Sequence, residues 1–169
     1  MIIVAIDEIN FKKASVILSN LDPKKCMVKI GSVSFNSIGQ EIIFYAAERG
    51  FDIFLDLKLH DIPNTVRKSI EGITSLPISM LTIHISGGRD MMKATMDAVS
   101  GRKIKIFGVT ALTSLSDEDT NKIFKRTASD QVEAMLDLAE SVGIDGVVCS
   151  PHELELVGKR KSLLSITPG

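Results

Sequence analysis

The sequence predicts an α/β fold and, within that class, a (β/α)8 TIM barrel that lacks its last strand. Two observations favour this fold. Strand-like and helix-like stretches alternate along the whole chain, and polar residues follow nearly every predicted strand. The 169 residues suffice for one ordinary domain, so we expect a single barrel domain over residues 1–169.

Seven short apolar runs, each bounded by polar or turn residues, have the length and composition of buried strands. The predicted strands are Ile2–Ile6, Met27–Ile30, Ile53–Lys58, Met80–Ile85, Lys103–Val109, Gly146–Cys149 and Leu163–Ile166. Because helical patterns separate them, these strands are expected to run parallel, with a helix crossing over between each pair.

Helical periodicity fills the intervals between the strands. The clearest helical face is formed by Val132, Met135, Leu136, Leu138 and Ala139. The predicted helices are Phe11–Leu18, Glu41–Arg49, Thr65–Ser75, Met91–Val99, Ser129–Val142 and His152–Val157. A further short helix is expected after Ser116, which resembles an N-cap followed by acidic residues.

Two architectures cover a parallel sheet with helices in this way, the doubly wound open sheet and the barrel. The barrel is favoured because its active site draws on the C-terminal ends of many strands, whereas an open sheet concentrates its site at one switch point. The polar residues at or after predicted strand ends are Asp7, Lys29, Asp56, Lys58, His84, Ser86, Thr110 and Thr113. The chain also contains neither GxGxxG after its first strand nor a phosphate-binding GxxxxGK loop.

The strand count falls one short of a closed barrel. Seven strands in 169 residues compare with eight strands in at least about 200 residues for complete barrels. We therefore expect the chain to be cut short, without the seventh helix, the eighth strand and the last helix.

Composition and charge exclude several classes of function. Hydrophobic residues make up 44% and charged residues 24% of the chain, which is typical of a soluble globular protein. The net charge of −1 provides no basic field for nucleic acid, and no apolar run approaches the roughly 20 residues of a membrane span. Cys26 and Cys149 are expected to be reduced in a cytoplasmic protein, and the scattered histidines predict no metal site.

The third predicted strand carries the most informative chemistry. Side chains alternate across a strand, so Asp56 and Lys58 share a face, with Cα atoms about 6.6 Å apart at about 3.3 Å per residue. Asp61 follows just past the strand. A cation between two carboxylates at the end of a buried strand is costly to desolvate, and stability alone rarely maintains it. This segment is the candidate active site, although a structural salt bridge at the strand end is the alternative.

The stretch from Asp56 to Thr65, DLKLHDIPNT, resembles the signature of the orotidine 5′-phosphate decarboxylase family, in its prokaryotic form. Six further blocks resemble that family in the right order along nearly the entire chain: VAIDEIN, VKIGSVSF, TIHISGGRDMM, VTALTS, GVVCSPHE and ITPG. The resemblance implies a TIM-barrel lyase of UMP biosynthesis that works without a cofactor. It also implies a cytoplasmic homodimer whose active sites are shared between subunits.

The resemblance also assigns residues to roles. It implies that Asp56, Lys58 and Asp61 form the catalytic array together with Lys29, with Asp61 offered across the dimer interface. Asp7 and Lys29 match residues that contact the ribose, and Thr113 matches the hydroxyl that contacts the pyrimidine. The full set implied to bind substrate is Asp7, Lys29, Asp56, Leu57, Lys58, Leu59, His60, Asp61, Ile62, Pro63, Asn64, Thr65 and Thr113.

The chemistry of such a reaction explains these residue types. Removing CO₂ from C6 of orotate leaves a carbanion in the ring plane that no adjacent π system absorbs. Without a cofactor as electron sink, the remaining solution is a fixed cation that also supplies the proton. Lys58 is predicted to be that group, held by the flanking carboxylates.

Two rival functions remain open at this stage. One rival is another barrel enzyme of the same group, 3-keto-gulonate phosphate decarboxylase or hexulose phosphate synthase. These enzymes resemble this chain in DxKxxD, but the resemblance implies that their second strand carries an acidic residue and a bound magnesium. Lys29 stands at that position here. The other rival is an inactive remnant, because the family's arginine-bearing loop, glutamine and phosphate-gripping glycine–arginine pair do not follow TPG in this sequence.

Overall fold

The computed structural model describes residues 1–112 and 114–168. Across this part of the chain, the strands are β1 (Ile2–Ile6), β2 (Cys26–Gly31), β3 (Ile53–Leu59), β4 (Met80–His84), β5 (Lys105–Val109), β6 (Gly146–Val148) and β7 (Leu164–Ile166). They form one parallel sheet in the order β1-β2-β3-β4-β5-β6-β7, so every strand pairs with its neighbour in sequence.

Helices connect the strands as the alternation predicts. They are α1 (Phe11–Ser19), α2 (Ser32–Ile38), α3 (Glu41–Glu48), α4 (Pro63–Ile73), α5 (Gly88–Ala98), α6 (Asp117–Phe124), α7 (Ala128–Val142) and α8 (Leu154–Gly158). Short 3₁₀ turns at Ile85–Gly87 and Pro151–Glu153 precede α5 and α8. None of the helices in the described ranges is long and apolar enough to cross a membrane.

The sheet curls so that its two faces bury separate clusters. The outer face packs against the helices and forms the main core, in which β-strand residues such as Ile30, Leu55 and Leu81 are fully buried. The smaller inner cluster comprises Met27, Phe54, Met80 and Phe107, packed against Ile3, Val148 and Ile166. Ile3 and Ile166 come from the two outermost strands, so their meeting in one cluster shows that the sheet is rolled toward a barrel.

The predicted TIM-barrel fold, with seven strands and the eighth lacking from the described residues, is confirmed. Strand limits differ by one or two residues; β5, for example, begins at Lys105 rather than Lys103. The predicted cap is also present, since the Ser116 hydroxyl accepts from the Asp119 N–H at 3.1 Å. The helix predicted over His152–Val157 is instead a 3₁₀ turn followed by α8.

Helix α2 is the element that the sequence pattern did not predict. Its sequence, SVSFNSI, is rich in serine and asparagine, which favour caps and turns over helix interiors. Tertiary contacts nevertheless stabilise it: the fully buried Ser34 hydroxyl donates to the Ile6 carbonyl at 2.6 Å and accepts from the Glu8 N–H at 3.0 Å. These contacts fix the chain on both sides of Asp7.

Candidate active site

The C-terminal ends of the strands surround a cavity of about 450 Å³. Asp7, Lys29, Asp56 and Lys58, which follow or end the first three strands, all line it. Its floor is apolar and includes Phe54, with Val109, Val148 and Ile166 contributing from the later strands. This is the end of the barrel where parallel α/β barrels place their active sites.

A second cavity of about 530 Å³ opens at the other end of the strands. It is larger, and Lys103, Lys105 and Asp52 lie on its lining. In the described residues, however, the ion pairs of the barrel interior are at the C-terminal end. We therefore take the smaller cavity as the candidate active site, because it contains the charged array.

The four charged side chains form an alternating chain of ion pairs. Lys58 Nζ lies 2.8 Å from Asp56 Oδ2, and Lys29 Nζ lies 3.4 Å from the same oxygen. Lys29 Nζ is also 3.6 Å from Asp7 Oδ1. The two lysines and two aspartates balance in charge, and each lysine contacts at least one carboxylate. The structure thus brings together four of the predicted site residues.

Asp56 is the central group of this array and its most buried member. Its side chain is 9% exposed, against 38% for Lys58, and its burial alone would raise the pKa of the carboxyl. The hydrogen bond and charge of Lys58 oppose that effect, assisted by a hydrogen bond from Thr82 and the charge of Lys29. Together they hold the pKa of Asp56 below its ordinary value.

The end of β3 departs from a regular strand. Between Leu55 and Leu59 this strand advances four residues while β4 advances only two, from Leu81 to Ile83. Lys58 adopts φ +49°, a left-handed conformation that L-residues other than glycine rarely occupy. The prediction that Asp56 and Lys58 meet is confirmed, and they do so within an irregular part of the strand.

Thr82 on β4 is a site residue that sequence reasoning missed. It is fully buried, and its hydroxyl donates to Asp56 Oδ1 at 2.8 Å while accepting from the Lys58 backbone N–H at 2.9 Å. One signal for it is present in the sequence. Met80, Thr82 and His84 alternate along β4 on the face shared with the inner cluster, where a hydroxyl needs a polar partner.

His84 lies at the end of β4, half-buried beside His60. The two ring centroids are 5.1 Å apart. Burial lowers the pKa of His84 below its ordinary value, and the nearby charges of His60 and Lys58 add to that decrease. His84 is therefore held mainly as a neutral imidazole at neutral pH.

The segment after β3 lies at the surface. Asp61 is exposed, and its Oδ1 accepts from the backbone N–H of Ile62 at 2.6 Å. Within the described residues it forms no ion pair with Lys58. Ile62 is 66% exposed, and the other exposed members of this segment are His60, Pro63, Asn64 and Thr65.

The remaining predicted residues divide into two cases. Leu57 and Leu59 are partly buried against the main core, so their side chains face the helices, as strand alternation predicts for them. The predicted pyrimidine contact, Thr113, lies outside the described residues.

Comparison with known proteins agrees with this geometry. A family model described as "Orotidine 5'-phosphate decarboxylase / HUMPS family" matches residues 1–169. The chain belongs to this family. The resemblance noted in the sequence and the predicted enzyme class, an orotidine 5′-phosphate decarboxylase, are both confirmed at the level of the family.

Individual relatives support the orotidine 5′-phosphate decarboxylase branch of the family. The chain is 44% identical to the orotidine 5′-phosphate decarboxylase of Ehrlichia chaffeensis, over 99% of this chain and 74% of that protein. It is 45% identical to the enzyme of the same name from Baumannia cicadellinicola, over 91% of this chain and 64% of that protein. The chain thus spans roughly two thirds to three quarters of the length of these curated relatives.

Solved structures show the same fold. The crystal structure of orotidine 5′-phosphate decarboxylase from Lactobacillus acidophilus matches with a TM-score of 0.90 at 36% identity, covering 99% of this chain and 80% of that one. The Methanocaldococcus jannaschii enzyme, solved with the inhibitor BMP, matches with a TM-score of 0.83. At 22% identity, that second match supports the fold alone.

Proposed function

We propose that this chain carries the active site of a cofactor-independent orotidine 5′-phosphate decarboxylase, which converts orotidine 5′-phosphate to UMP in pyrimidine biosynthesis. The observation that carries the proposal is the Lys29–Asp56–Lys58 ion-pair chain inside the mouth of the barrel. The names of the curated relatives supply the substrate class.

In the proposed reaction, the bond between C6 and the carboxylate carbon breaks and CO₂ leaves. The bonding electron pair stays on C6, in the plane of the pyrimidine. Lys58 Nζ is the cation that stabilises this charge as it forms, which is electrostatic catalysis by a preorganised group. The same ammonium then transfers a proton to C6 to give UMP, and the amine regains its proton from solvent.

Asp56 has two parts in this scheme. Its contact with Lys58 at 2.8 Å holds the ammonium at one place in the cavity. Its negative charge is also proposed to lie close to the substrate carboxylate, where repulsion between the two favours loss of CO₂. We assign the larger share of catalysis to Lys58, because it acts on the charge that exists only in the transition state.

The ribose is proposed to contact Lys29 and Asp7. Both line the cavity next to Asp56, and Asp7 remains 55% exposed, so its carboxylate is accessible to hydroxyl groups of a ligand. Thr113 is proposed to contact the pyrimidine, as the family resemblance implies. The proposed role of His60, Pro63 and Asn64 is to form part of the surface around this mouth.

The active site is further proposed to be shared in a homodimer. Asp61 and Ile62 lie on the connection between β3 and α4, Thr65 lies in the first turn of α4, and all three are exposed. In a homodimer these residues would complete the site of the second subunit, with Asp61 as the additional carboxylate beside its Lys58. The proposed location is the cytoplasm, in line with the two free cysteines, Cys26 and Cys149.

The sugar-phosphate enzymes of the same family are less well supported. By family resemblance, the second strand of those enzymes carries an acidic residue that binds a magnesium ion. In this chain Lys29 occupies that position and contacts Asp56 and Asp7. A cation there repels a metal ion instead of binding one.

The direct test is a decarboxylation assay on two forms of the protein. One is the 169-residue chain, and the other is that chain extended with the C-terminal segment of the Ehrlichia chaffeensis relative. Loss of the orotate absorbance is followed for wild type, Lys58→Ala and the control Lys25→Ala, which removes a lysine that is 83% exposed. We expect turnover in the extended wild type and control, and its loss in Lys58→Ala with the fold intact.

Retention of more than about a tenth of wild-type turnover by Lys58→Ala, a loss under about 1.4 kcal/mol, would contradict the role of this lysine. Titration with 6-hydroxy-UMP, whose anionic oxygen mimics the carbanion, compares the ligand affinity of the 169-residue chain with that of the extended form. Tighter binding by the extended form is expected, because it adds the segment that the family resemblance assigns to the phosphate.

A further inference from the structure

We propose that Thr82 is a positioning residue that fixes the Asp56–Lys58 pair by bonding the carboxylate of one and the backbone of the other. The geometric part of this inference stands by itself. Its consequence for turnover rests on the function proposed above.

The first observation is that one buried hydroxyl serves both partners. Thr82 is fully buried, and its Oγ1 lies 2.8 Å from Asp56 Oδ1 and 2.9 Å from the Lys58 backbone nitrogen. A hydroxyl has a single proton, and an ionised carboxylate only accepts. The hydroxyl must therefore donate to Asp56 and accept from Lys58, which leaves one orientation that satisfies both.

The second observation concerns how Asp56 divides its two oxygens. Oδ2 faces both ammonium groups, at 2.8 Å for Lys58 and 3.4 Å for Lys29. Oδ1 is bonded to Thr82. Because the two oxygens have different partners on opposite sides, the Thr82 bond sets the rotation of the carboxylate and keeps Oδ2 directed at the lysines.

The third observation is the left-handed backbone of Lys58. A residue with a long side chain at φ +49° persists only where its surroundings hold it. The N–H of this residue donates to Thr82 within the bulge that interrupts the pairing of β3 with β4. The hydrogen bond thus stabilises the turn of the backbone that directs the Lys58 side chain back to Asp56.

A merely structural threonine would affect stability without affecting the array. Thr95 in α5 is such a residue, since it is also fully buried and its hydroxyl donates to the Met91 carbonyl at 3.0 Å, away from the site. Thr95→Val is therefore the matched control for Thr82→Val. Both substitutions keep the shape of the side chain and remove one buried hydroxyl. Thr82→Ser retains the hydroxyl and tests for rescue.

The experiment has a readout that needs no substrate. The carboxyl of Asp56 is titrated by ¹³C NMR in wild type and the three variants. Removing a hydrogen bond to the ionised form makes that form less favourable, so Thr82→Val should raise the titration midpoint of Asp56. Thr82→Ser and Thr95→Val should leave it near the wild-type midpoint. An unchanged midpoint in Thr82→Val overturns the inference.

Turnover is measured on the extended form. Thr82→Val should lower kcat about tenfold or more, as expected for loss of a hydrogen bond to a charged group, with KM changed less than about threefold. Thr82→Ser should recover most of kcat, and Thr95→Val should leave it unchanged. A kcat in Thr82→Val within about twofold of wild type also overturns the inference, while leaving the proposed function intact.

The inference about Thr82 and the proposed function can fail separately. If the midpoint shifts as expected but no form decarboxylates the substrate, the linkage through Thr82 stands and the proposed function fails. If Thr82→Val does not fold, hydrogen exchange of the Lys58 amide in wild type and Thr82→Ser tests the bond to Thr82 instead. A protected Lys58 N–H supports the hydrogen bond, and exchange as fast as that of an exposed loop amide overturns it.

Discussion

Lys29 Nζ lies 3.4 Å from Asp56 Oδ2, the same oxygen that Lys58 contacts at 2.8 Å. A single carboxylate oxygen therefore attracts two cations that would otherwise repel each other. The hydrogen bond and charge of Lys58, the hydrogen bond from Thr82 and the charge of Lys29 together keep Asp56 ionised despite its burial. The shared oxygen makes Asp56 the residue on which the arrangement of both lysines depends.

Replacement of Asp56 should destabilise the folded chain. Asp56→Asn leaves two lysines facing each other without a carboxylate between them. Breaking a fully buried pair costs about 3–5 kcal/mol, and the loss here should be nearer 2 kcal/mol because both lysines keep contact with water. Urea unfolding measures the change, with Asp22→Asn as a control at an exposed aspartate. A loss equal to that of the control would contradict the prediction.

The same comparison should depend on pH. The pKa of Asp56 in the folded chain lies below the ordinary value of 3.8, so its stabilising contribution is complete above that value. The contribution is lost as pH falls through the lower, folded-state pKa. The stability gap between wild type and Asp56→Asn should be constant near neutral pH and shrink below about pH 4. A stability gap that grows on acidification would contradict the predicted direction of the pH dependence.

The two lysines should be energetically coupled through the shared oxygen. When either lysine is replaced by alanine, the other can approach Asp56 Oδ2 without competition. The stability losses of Lys29→Ala and Lys58→Ala should therefore not add, with a coupling energy of about 0.5–3 kcal/mol in a double-mutant cycle. Lys25→Ala paired with Lys58→Ala is the control, and we expect its losses to add.

Ser34 is expected to control the position of Asp7. Ser34→Ala removes the hydroxyl that bonds Ile6 and Glu8, and buried partners left unpaired cost about 1–3 kcal/mol. We expect reduced stability in urea together with an increased KM in the extended form, because Asp7 is proposed to contact the ribose. Ser37→Ala, at an exposed position of the same helix, should change neither quantity.

Complementation between two inactive variants tests the shared site. Lys58→Ala and Asp61→Ala are each expected to be inactive as homodimers of the extended form. In a mixed dimer, one site lacks both residues and the other has both intact. Random pairing should therefore restore about a quarter of wild-type activity. Absence of recovery, with mixed dimers demonstrated by mass spectrometry, would show that Asp61 acts within its own subunit.

The sequence was sufficient to predict the fold and the charged core of the site. Strands β1 to β7 follow from short apolar runs separated by helical periodicity, since both patterns are local properties of the chain. Asp56 and Lys58 were predicted to meet because they lie two residues apart on one strand. Lys29 was identified as a polar residue at a strand end, and the family resemblance assigned it to the same array, where it lies 3.4 Å from Asp56.

The contacts that orient those charges were decided by the tertiary structure alone. Helix α2 depends on the long-range bonds of Ser34, and its own sequence favours turns. The hydrogen bonds of Thr82 link β4 to the bulge in β3, and they join Thr82 to Lys58 and Asp56, which lie 24 and 26 positions away in the sequence. Sequence periodicity identifies which side chains share a face. Which hydroxyl meets which carboxylate depends on strand register and backbone irregularity, and these are set only when the whole sheet packs.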